Sequence, residues 1–147
     1  MPEQENLQVV RKGFEAWNAH DPDRFVALLA EGFVSESDNW PAPVRGQEAV
    51  RQMMHMYIGA FPDLHFNVVQ MLESGDYVVS RWHSTGTHQG ELMGIPATNR
   101  RGEGIHGCTV AEIKKGKITH EWVYWDTATL LRQLGVMPAP AQAAAAR

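Results

Sequence analysis

The stretch GIHGCTVAEIKKGKITHEWVYWDTATLLRQLG (residues 104–135) decides the fold. It predicts two strands, at residues 103–113 and 118–125, because two runs rich in β-branched and aromatic residues flank a turn at Lys114-Lys115-Gly116. A short helix at residues 128–134 follows, with Asp126 or Thr127 as its N-cap and Gly135 at its end. The stretch therefore predicts a β-hairpin leading into a terminal helix.

Three helices are predicted in the first half of the chain. Apolar residues at spacings of three and four make one face of a helix over residues 3–19. Asp21 followed by Pro22 predicts the start of a second helix, which continues through Leu28 and Leu29 to about Gly32. Residues 33–43, with two prolines and Trp40, are predicted as a loop. A third helix follows Gly46, with Val50, Met53, Met54 and Tyr57 facing inward.

The second half of the chain predicts strands. Residues 64–72 and 77–88 alternate in side-chain type around a turn at residues 74–76, and residues 89–101 form a glycine-containing loop. Three helices followed by four antiparallel strands give an α+β fold, whose curved sheet would leave a pocket against the helices. We expect one domain at residues 1–136 and a low-complexity tail at residues 137–147.

Composition narrows the functional classes. The 147 residues contain 13 Lys and Arg against 17 Asp and Glu, a formal net charge of −4, which does not favour binding to nucleic acid or to an anionic membrane. The sequence contains no long apolar run and its polar N-terminus does not resemble a signal peptide. Cys108 is the single cysteine, so no intrachain disulfide is expected and a cytoplasmic location is predicted.

Several separated phrases resemble one known family. GTHQGELMGIPATNRR (86–101), GKITHEW (116–122), DTATLLRQLG (126–135), AFPDL (60–64) and WNAHD (17–21) look like the SnoaL-like polyketide cyclases and ester cyclases over roughly residues 6–136. The resemblance implies a nuclear-transport-factor-2-like (NTF2-like) cone. In such a cone a curved antiparallel sheet of about four main strands wraps on three N-terminal helices, with a short C-terminal helix.

The resemblance also implies a function. In that family an aspartate on the last strand, helped by a glutamine and a histidine, closes a polyketide ester ring by an intramolecular aldol reaction without metal or organic cofactor. The family usually forms oligomers, so a homodimer or homotetramer is expected. Ungapped alignment from Gly116 places the aspartate position at Val123, the histidine position at Thr109 and the glutamine position at Gly107. The family mechanism therefore does not transfer unchanged.

Glu121 is the best remaining base. If Ile113 pairs with Lys117, Gly107 lies opposite Val123 and Thr109 opposite Glu121, and alternation puts Glu121 on the pocket face with Trp125. Burial there would raise the Glu121 pKa towards a useful value. The alternative is an exposed glutamate paired with a lysine or solvated, and a register slip of one residue would bring the hairpin histidines inward instead.

Two further catalytic candidates have structural alternatives. Asp126 matches a second acidic position of the family, but it also suits a helix N-cap. His88 could reach the pocket rim as an acid or an oxyanion donor, or it could bond to backbone at a strand end. No close His-x-His pair occurs among the seven histidines, so no metal site is predicted.

The predicted ligand is a small hydrophobic or aromatic carbonyl compound. Its wall would comprise the following residues: Trp17, Trp40, Met53, Tyr57, Thr109, Val123 and Trp125. Three functions remain open at this point: a cofactor-free cyclase, lyase or isomerase, a binding protein with the same pocket but no chemistry, and an oligomeric scaffold. The missing Asp and His favour the second, whereas Glu121 and the family resemblance favour the first.

Overall fold

A computed structural model describes residues 2–138, with side chains from residue 5 onward. The helices are α1 (Pro2–Asn18), α2 (Pro22–Val26), α3 (Gln47–Ala60) and α4 (Thr127–Gln133). The strands are β1 (Leu29–Glu36), β2 (Val44–Arg45), β3 (His65–Ser74), β4 (Tyr77–Thr85), β5 (Ile105–Lys114) and β6 (Lys117–Trp125). The predicted α+β class is confirmed. From residue 139 on, the predicted tail lies outside the described residues.

The six strands form one sheet in the order β2-β1-β6-β5-β4-β3. Neighbours pair antiparallel except β1 and β6, which run parallel, so the sheet is mixed and has two strands more than the four predicted. Helices α1 and α3 pack on its inner face. The parallel pair places β1 beside the strand that carries Glu121.

The segment before α3 corrects the sequence prediction. The predicted second helix and the loop at residues 33–43 are wrong in part, because α2 ends at Val26 and residues 29–36 form β1. Phe33 and Ser35 are buried on the inner face of β1, with the alternation of a strand. Pairing with β2 on one side and β6 on the other stabilises this strand, and such non-local pairing leaves little trace in the local sequence.

The hairpin register also differs from the prediction. Lys115 and Gly116 have φ values of 52° and 77°, so the turn has two residues, as in a type I′ hairpin, and Lys114 pairs with Lys117. A bulge between Glu112 and Ile113 completes a shift of two residues from the predicted pairing. A shift of two preserves the faces, so the predicted face of Glu121 is unchanged.

Two apolar clusters hold the layers together. The larger one joins α1, α2 and α3 to the sheet through buried residues that include Phe33, Val50, Met54 and Ile118. The smaller one joins α4 to the end of α3 and to the loop after β4. Within residues 2–138 the structure contains no helix long and apolar enough to cross a membrane.

Candidate active site

A cavity of about 150 Å³ lies between the inner face of the sheet and helices α1, α3 and α4. Its walls are mostly apolar and aromatic, with few polar groups, which is the usual make-up of a small-molecule site. All seven residues predicted to line the pocket do so: Trp17, Trp40, Met53, Tyr57, Thr109, Val123 and Trp125. Of the three catalytic candidates, only Glu121 lines it.

Glu121 lies in the middle of the sheet wall. It stands between Ala111 on β5 and Ser35 on β1, and its carboxylate makes no hydrogen bond or ion pair to any residue that the structure describes. Burial raises the pKa of the Glu121 carboxyl from 4.5 to about 7. A carboxyl with this pKa can take up and release a proton near neutral pH, as a general base requires.

Ser35 is a cavity residue that the sequence reasoning missed. It is 1% exposed, it is the cross-strand neighbour of Glu121 on β1, and its hydroxyl has no partner among the described residues. No local sequence pattern identifies it, because Phe33 and Ser35 share the inner face only once residues 29–36 are paired as a strand. The cavity wall therefore holds two adjacent polar side chains without partners.

Thr109 is held by a tryptophan. The indole Nε1 of Trp82 donates to Thr109 Oγ1 at 2.9 Å, and Ser80 Oγ donates to the carbonyl of Thr109 at 3.4 Å. Gly107 permits this arrangement, because a Cβ at Gly107 would lie 2.2 Å from the Trp82 ring. Thr109 thus occupies the position where the family resemblance expects a histidine, with its oxygen already bonded.

Aromatic rings form much of the remaining wall. Phe66 lies between Trp17 and Trp82, with ring centroids 5.5 and 5.2 Å away. On α3, the Tyr57 hydroxyl accepts a hydrogen bond of 3.0 Å from the indole nitrogen of Trp40, and burial raises the pKa of Tyr57. Such a wall suits a flat, mostly apolar ligand.

The structure places His88 away from Glu121. It is 0% exposed in the loop after β4, its ring packs on Phe61, and it does not line the cavity. Its Nδ1 accepts from the backbone N–H of Thr98 at 3.2 Å, and its own backbone bonds to Arg100 and Asn99. These contacts make His88 an organiser of the loop at residues 86–104.

Asp126 acts as the N-cap of α4. Its carboxylate accepts from the backbone N–H of Ala128 at 3.2 Å and from the Thr129 hydroxyl at 2.7 Å. These hydrogen bonds, that of Thr129 foremost, hold the pKa of Asp126 below its ordinary value. Asp126 is exposed and does not line the cavity with Glu121.

The hairpin histidines also lie off the cavity. His120 contacts Glu36 at 2.5 Å and stacks on Trp122, while His106 stacks on His83 with centroids 4.5 Å apart. In residues 2–138 no group of three His, Cys, Asp or Glu side chains is arranged to hold a metal ion. The prediction of a site without metal stays a prediction.

A bent sheet wrapped on helices around a cavity of this kind is the NTF2-like fold. The SnoaL-like polyketide cyclase family model matches residues 7–134, and the chain belongs to that family. The aklanonic acid methyl ester cyclase DnrD of Streptomyces peucetius is 30% identical over 133 residues, covering 88% of this chain and 90% of DnrD. DauD of Streptomyces sp. strain C5, also an aklanonic acid methyl ester cyclase, is 30% identical over 133 residues, covering 88% and 81%.

Solved structures agree with this assignment. AclR of Streptomyces galilaeus, a proposed hydroxylase, superposes with a TM-score of 0.85 at 27% identity, covering 99% of this chain and 95% of AclR. IdmH of Streptomyces antibioticus, a proposed polyketide cyclase, superposes with a TM-score of 0.77 at 27% identity, covering 89% and 99%. The predicted NTF2-like fold and the predicted family are both confirmed.

Proposed function

We propose that this protein is a cofactor-free acid–base enzyme that cyclises a mostly apolar carbonyl compound of the polyketide ester type, with Glu121 as its base. One observation carries the proposal: Glu121 is a carboxylate on the wall of an apolar cavity, and burial brings its pKa to about 7. Family membership and the names of the relatives DnrD and DauD support cyclisation over other lyase or isomerase chemistry.

The proposed reaction balances without a co-reactant. The Glu121 carboxylate removes a proton from a carbon next to a carbonyl group, which leaves an enolate. The enolate carbon attacks a second carbonyl of the same molecule, a C–C bond forms, and the new alkoxide takes a proton back from Glu121. The product is an isomer of the substrate. An apolar cavity favours this step because few water molecules compete for the enolate.

Turnover of aklanonic acid methyl ester, followed by chromatography and mass spectrometry, tests the proposal. We expect a product of the same mass with a new retention time, and a kcat/KM that rises with pH through about 7 as Glu121 ionises. Glu121→Gln should lose at least about a hundredfold in kcat, the range of general-base contributions. Full activity in Glu121→Gln would refute the assignment.

A matched control distinguishes this loss from a change of charge. Glu112 is the neighbouring glutamate on β5, but its carboxylate faces away from the cavity and accepts from Tyr77 at 3.1 Å and Thr119 at 2.6 Å. Glu112→Gln should leave kcat and its pH profile unchanged. An equal loss in both variants would point to a charge effect rather than to a base.

The second candidate is a binding protein without chemistry. Val123 and Thr109 at the family's aspartate and histidine positions favour it, and the Thr109 oxygen is engaged by Trp82. In that case the wild-type protein binds aromatic ketones, measured by calorimetry, but no isomer appears at any pH. Glu121→Gln would then bind as tightly as the wild type or more tightly.

We also propose a cytoplasmic homodimer or homotetramer. Leu72, Tyr77 and Tyr124 are large side chains exposed on the outer face of the sheet, away from the helices, with Trp122 beside them. Such a patch is typical of a contact between subunits. Analytical ultracentrifugation tests the state directly, and Tyr124→Lys should shift the protein towards the monomer. A monomeric wild type at high concentration would refute the proposal.

A further inference from the structure

The hydrogen bond between Trp40 and Tyr57 leaves one proton unused. Trp40 lies between β1 and β2, and its indole nitrogen can only donate, so the Tyr57 oxygen must be the acceptor of their 3.0 Å hydrogen bond. The phenolic proton of Tyr57 therefore has to find another acceptor. No residue that the structure describes accepts it. Tyr57 lines the same cavity as Glu121.

The surroundings of Tyr57 keep this proton in place. Desolvation raises the Tyr57 pKa above its ordinary value, so the hydroxyl remains a donor across the working pH range. Tyr57 packs against a cluster of apolar side chains that contain no hydrogen-bond acceptor: Ala60, Phe61, Leu92, Ile105, Leu130 and Leu134. Accepting a hydrogen bond from Trp40 also polarises the hydroxyl and strengthens it as a donor.

We propose that the Tyr57 hydroxyl binds the carbonyl oxygen of the ligand, and that Trp40 is the positioning residue that fixes it. Ligand binding by Tyr57 stands without chemistry at Glu121, but the catalytic consequence rests on the function proposed above. When Glu121 removes the proton, negative charge develops on that oxygen, and a fixed donor stabilises it. Base and donor then come from different elements, β6 and α3, on the wall of one cavity.

The other hydroxyls in the cavity wall are aliphatic and fit this role less well: Ser35, Ser80, Ser84, Thr85 and Thr109. Ser35 lines the cavity, but its hydroxyl oxygen is covered by neighbouring atoms, so a ligand atom would reach it only after a shift. Thr109, whose oxygen accepts from Trp82, also retains a proton, but an aliphatic hydroxyl is a weaker donor than a phenol. Thr109 is therefore the competitor that the experiment must separate from Tyr57.

A pair of probes isolates the carbonyl oxygen. 1-Tetralone and tetralin have the same bicyclic skeleton, and only the first has a C=O group. Calorimetric Kd values for both are compared in the wild type, Tyr57→Phe and Thr109→Val. We expect Tyr57→Phe to weaken 1-tetralone binding about tenfold, the worth of one hydrogen bond, and to leave tetralin binding unchanged.

Infrared difference spectroscopy gives a readout that a packing defect would not move. The C=O stretch of bound 1-tetralone should lie below its frequency in hexane in the wild type, and should return towards that frequency in Tyr57→Phe. Trp40→Phe, which keeps an aromatic ring but removes the N–H donor, should give an intermediate frequency. An unchanged ratio of the two Kd values in Tyr57→Phe would overturn the inference.

Further results of the same binding measurements would refute the role of Tyr57. A selective loss of 1-tetralone binding in Thr109→Val but not in Tyr57→Phe would make Thr109 the donor and refute the role of Tyr57. No preference for 1-tetralone over tetralin in the wild type, or no binding of either, would refute it as well. Glu121→Gln separates this inference from the proposed function, since it should lose turnover yet keep the Kd ratio and the C=O frequency.

Discussion

Replacing Glu121 by Gln tests the central electrostatic feature of the cavity. The folded protein holds the Glu121 proton with a pKa of about 7, against an ordinary value of 4.5 in the unfolded chain. The folded state thus binds the proton more tightly. The contribution of this proton to the free energy of unfolding is fully present below pH 4.5, the unfolded pKa, and is lost as the pH rises towards about 7. Gln stays neutral throughout, so the comparison of variant with wild type isolates this ionisation.

The expected magnitude follows from the two pKa values. The interval from 4.5 to about 7, at roughly 1.4 kcal/mol for each pKa unit, corresponds to about 3 kcal/mol in the free energy of unfolding. This is the upper limit, because water that enters the cavity solvates the carboxylate and narrows the interval. Between about pH 4 and pH 8, Glu121→Gln should therefore gain up to about 3 kcal/mol relative to the wild type.

Urea unfolding followed by tryptophan fluorescence measures this gain at a series of pH values. Glu112→Gln is the internal control, because folding lowers the pKa of Glu112 whereas it raises that of Glu121. The hydrogen bond from Thr119, with a further one from Tyr77, lowers the Glu112 pKa, so the wild type should gain stability over that variant as the pH rises above the acid range. A Glu121→Gln difference that stays constant within about 0.5 kcal/mol across the series would refute the buried-carboxylate argument.

Three further substitutions probe the framework of the cavity. Gly107→Ala places a Cβ 2.2 Å from the Trp82 ring, so we expect about 1–3 kcal/mol lower stability in urea unfolding and altered tryptophan fluorescence. Asn18→Ala removes the amide that bonds the N–H and C=O of Phe66 at 2.7 and 2.9 Å, and should lower the free energy of unfolding by about 2–3 kcal/mol. Asp126→Ala removes the cap of α4 and should lower Tm by about 3–6 °C in calorimetry, with turnover unchanged.

Each of these has a matched control. Gly59→Ala, in α3, meets no atom within 4 Å and should stabilise the helix by about 0.5–1 kcal/mol, so a loss there would contradict the steric argument for Gly107. Asn6 makes one long, exposed hydrogen bond of 3.4 Å, and Asn6→Ala should cost much less than Asn18→Ala. Asp126→Asn keeps a capping oxygen and should retain most of the Tm. Lost turnover in Asp126→Asn would contradict a purely structural role.

Local patterns predicted the elements whose stability is mostly local. The stripe of α1, the cap of α4 and the paired strands of the hairpin are confirmed, because caps, turns and side-chain period act within a few residues. Strand β1 was predicted as helix and loop. Its pairing partners are Val44–Arg45 and the strand more than 80 residues later, and no short-range pattern contains that information.

The residues of the candidate site also divide into those that local sequence patterns placed and those that depend on tertiary contacts. Alternation along β6 placed Glu121 on the inner face of the sheet. The predicted β5–β6 register differs from the observed one by two residues, and such a shift keeps each side chain on the same face. Ser35 could not be placed, since its position beside Glu121 depends on the parallel pairing of β1 with β6. The free hydrogen-bond donor of Tyr57 could not be predicted from the sequence either, because it follows from the direction of one tertiary hydrogen bond.

The position of the carboxylate on β6 constrains the ligand. The family resemblance implies an acid at position 123, whereas Glu121 lies two residues nearer the β5–β6 turn on the same face, a displacement of about 7 Å. If Glu121 is the base, as we propose, the acidic carbon must lie that much nearer the turn than in a relative with its acid at position 123. Ser35, the neighbour of Glu121 on β1, lines the same cavity. With Glu121 as the base, we therefore expect the substrate to bind nearer the β5–β6 turn than it would with an acid at position 123, with the reacting carbon beside Glu121 rather than beside Val123.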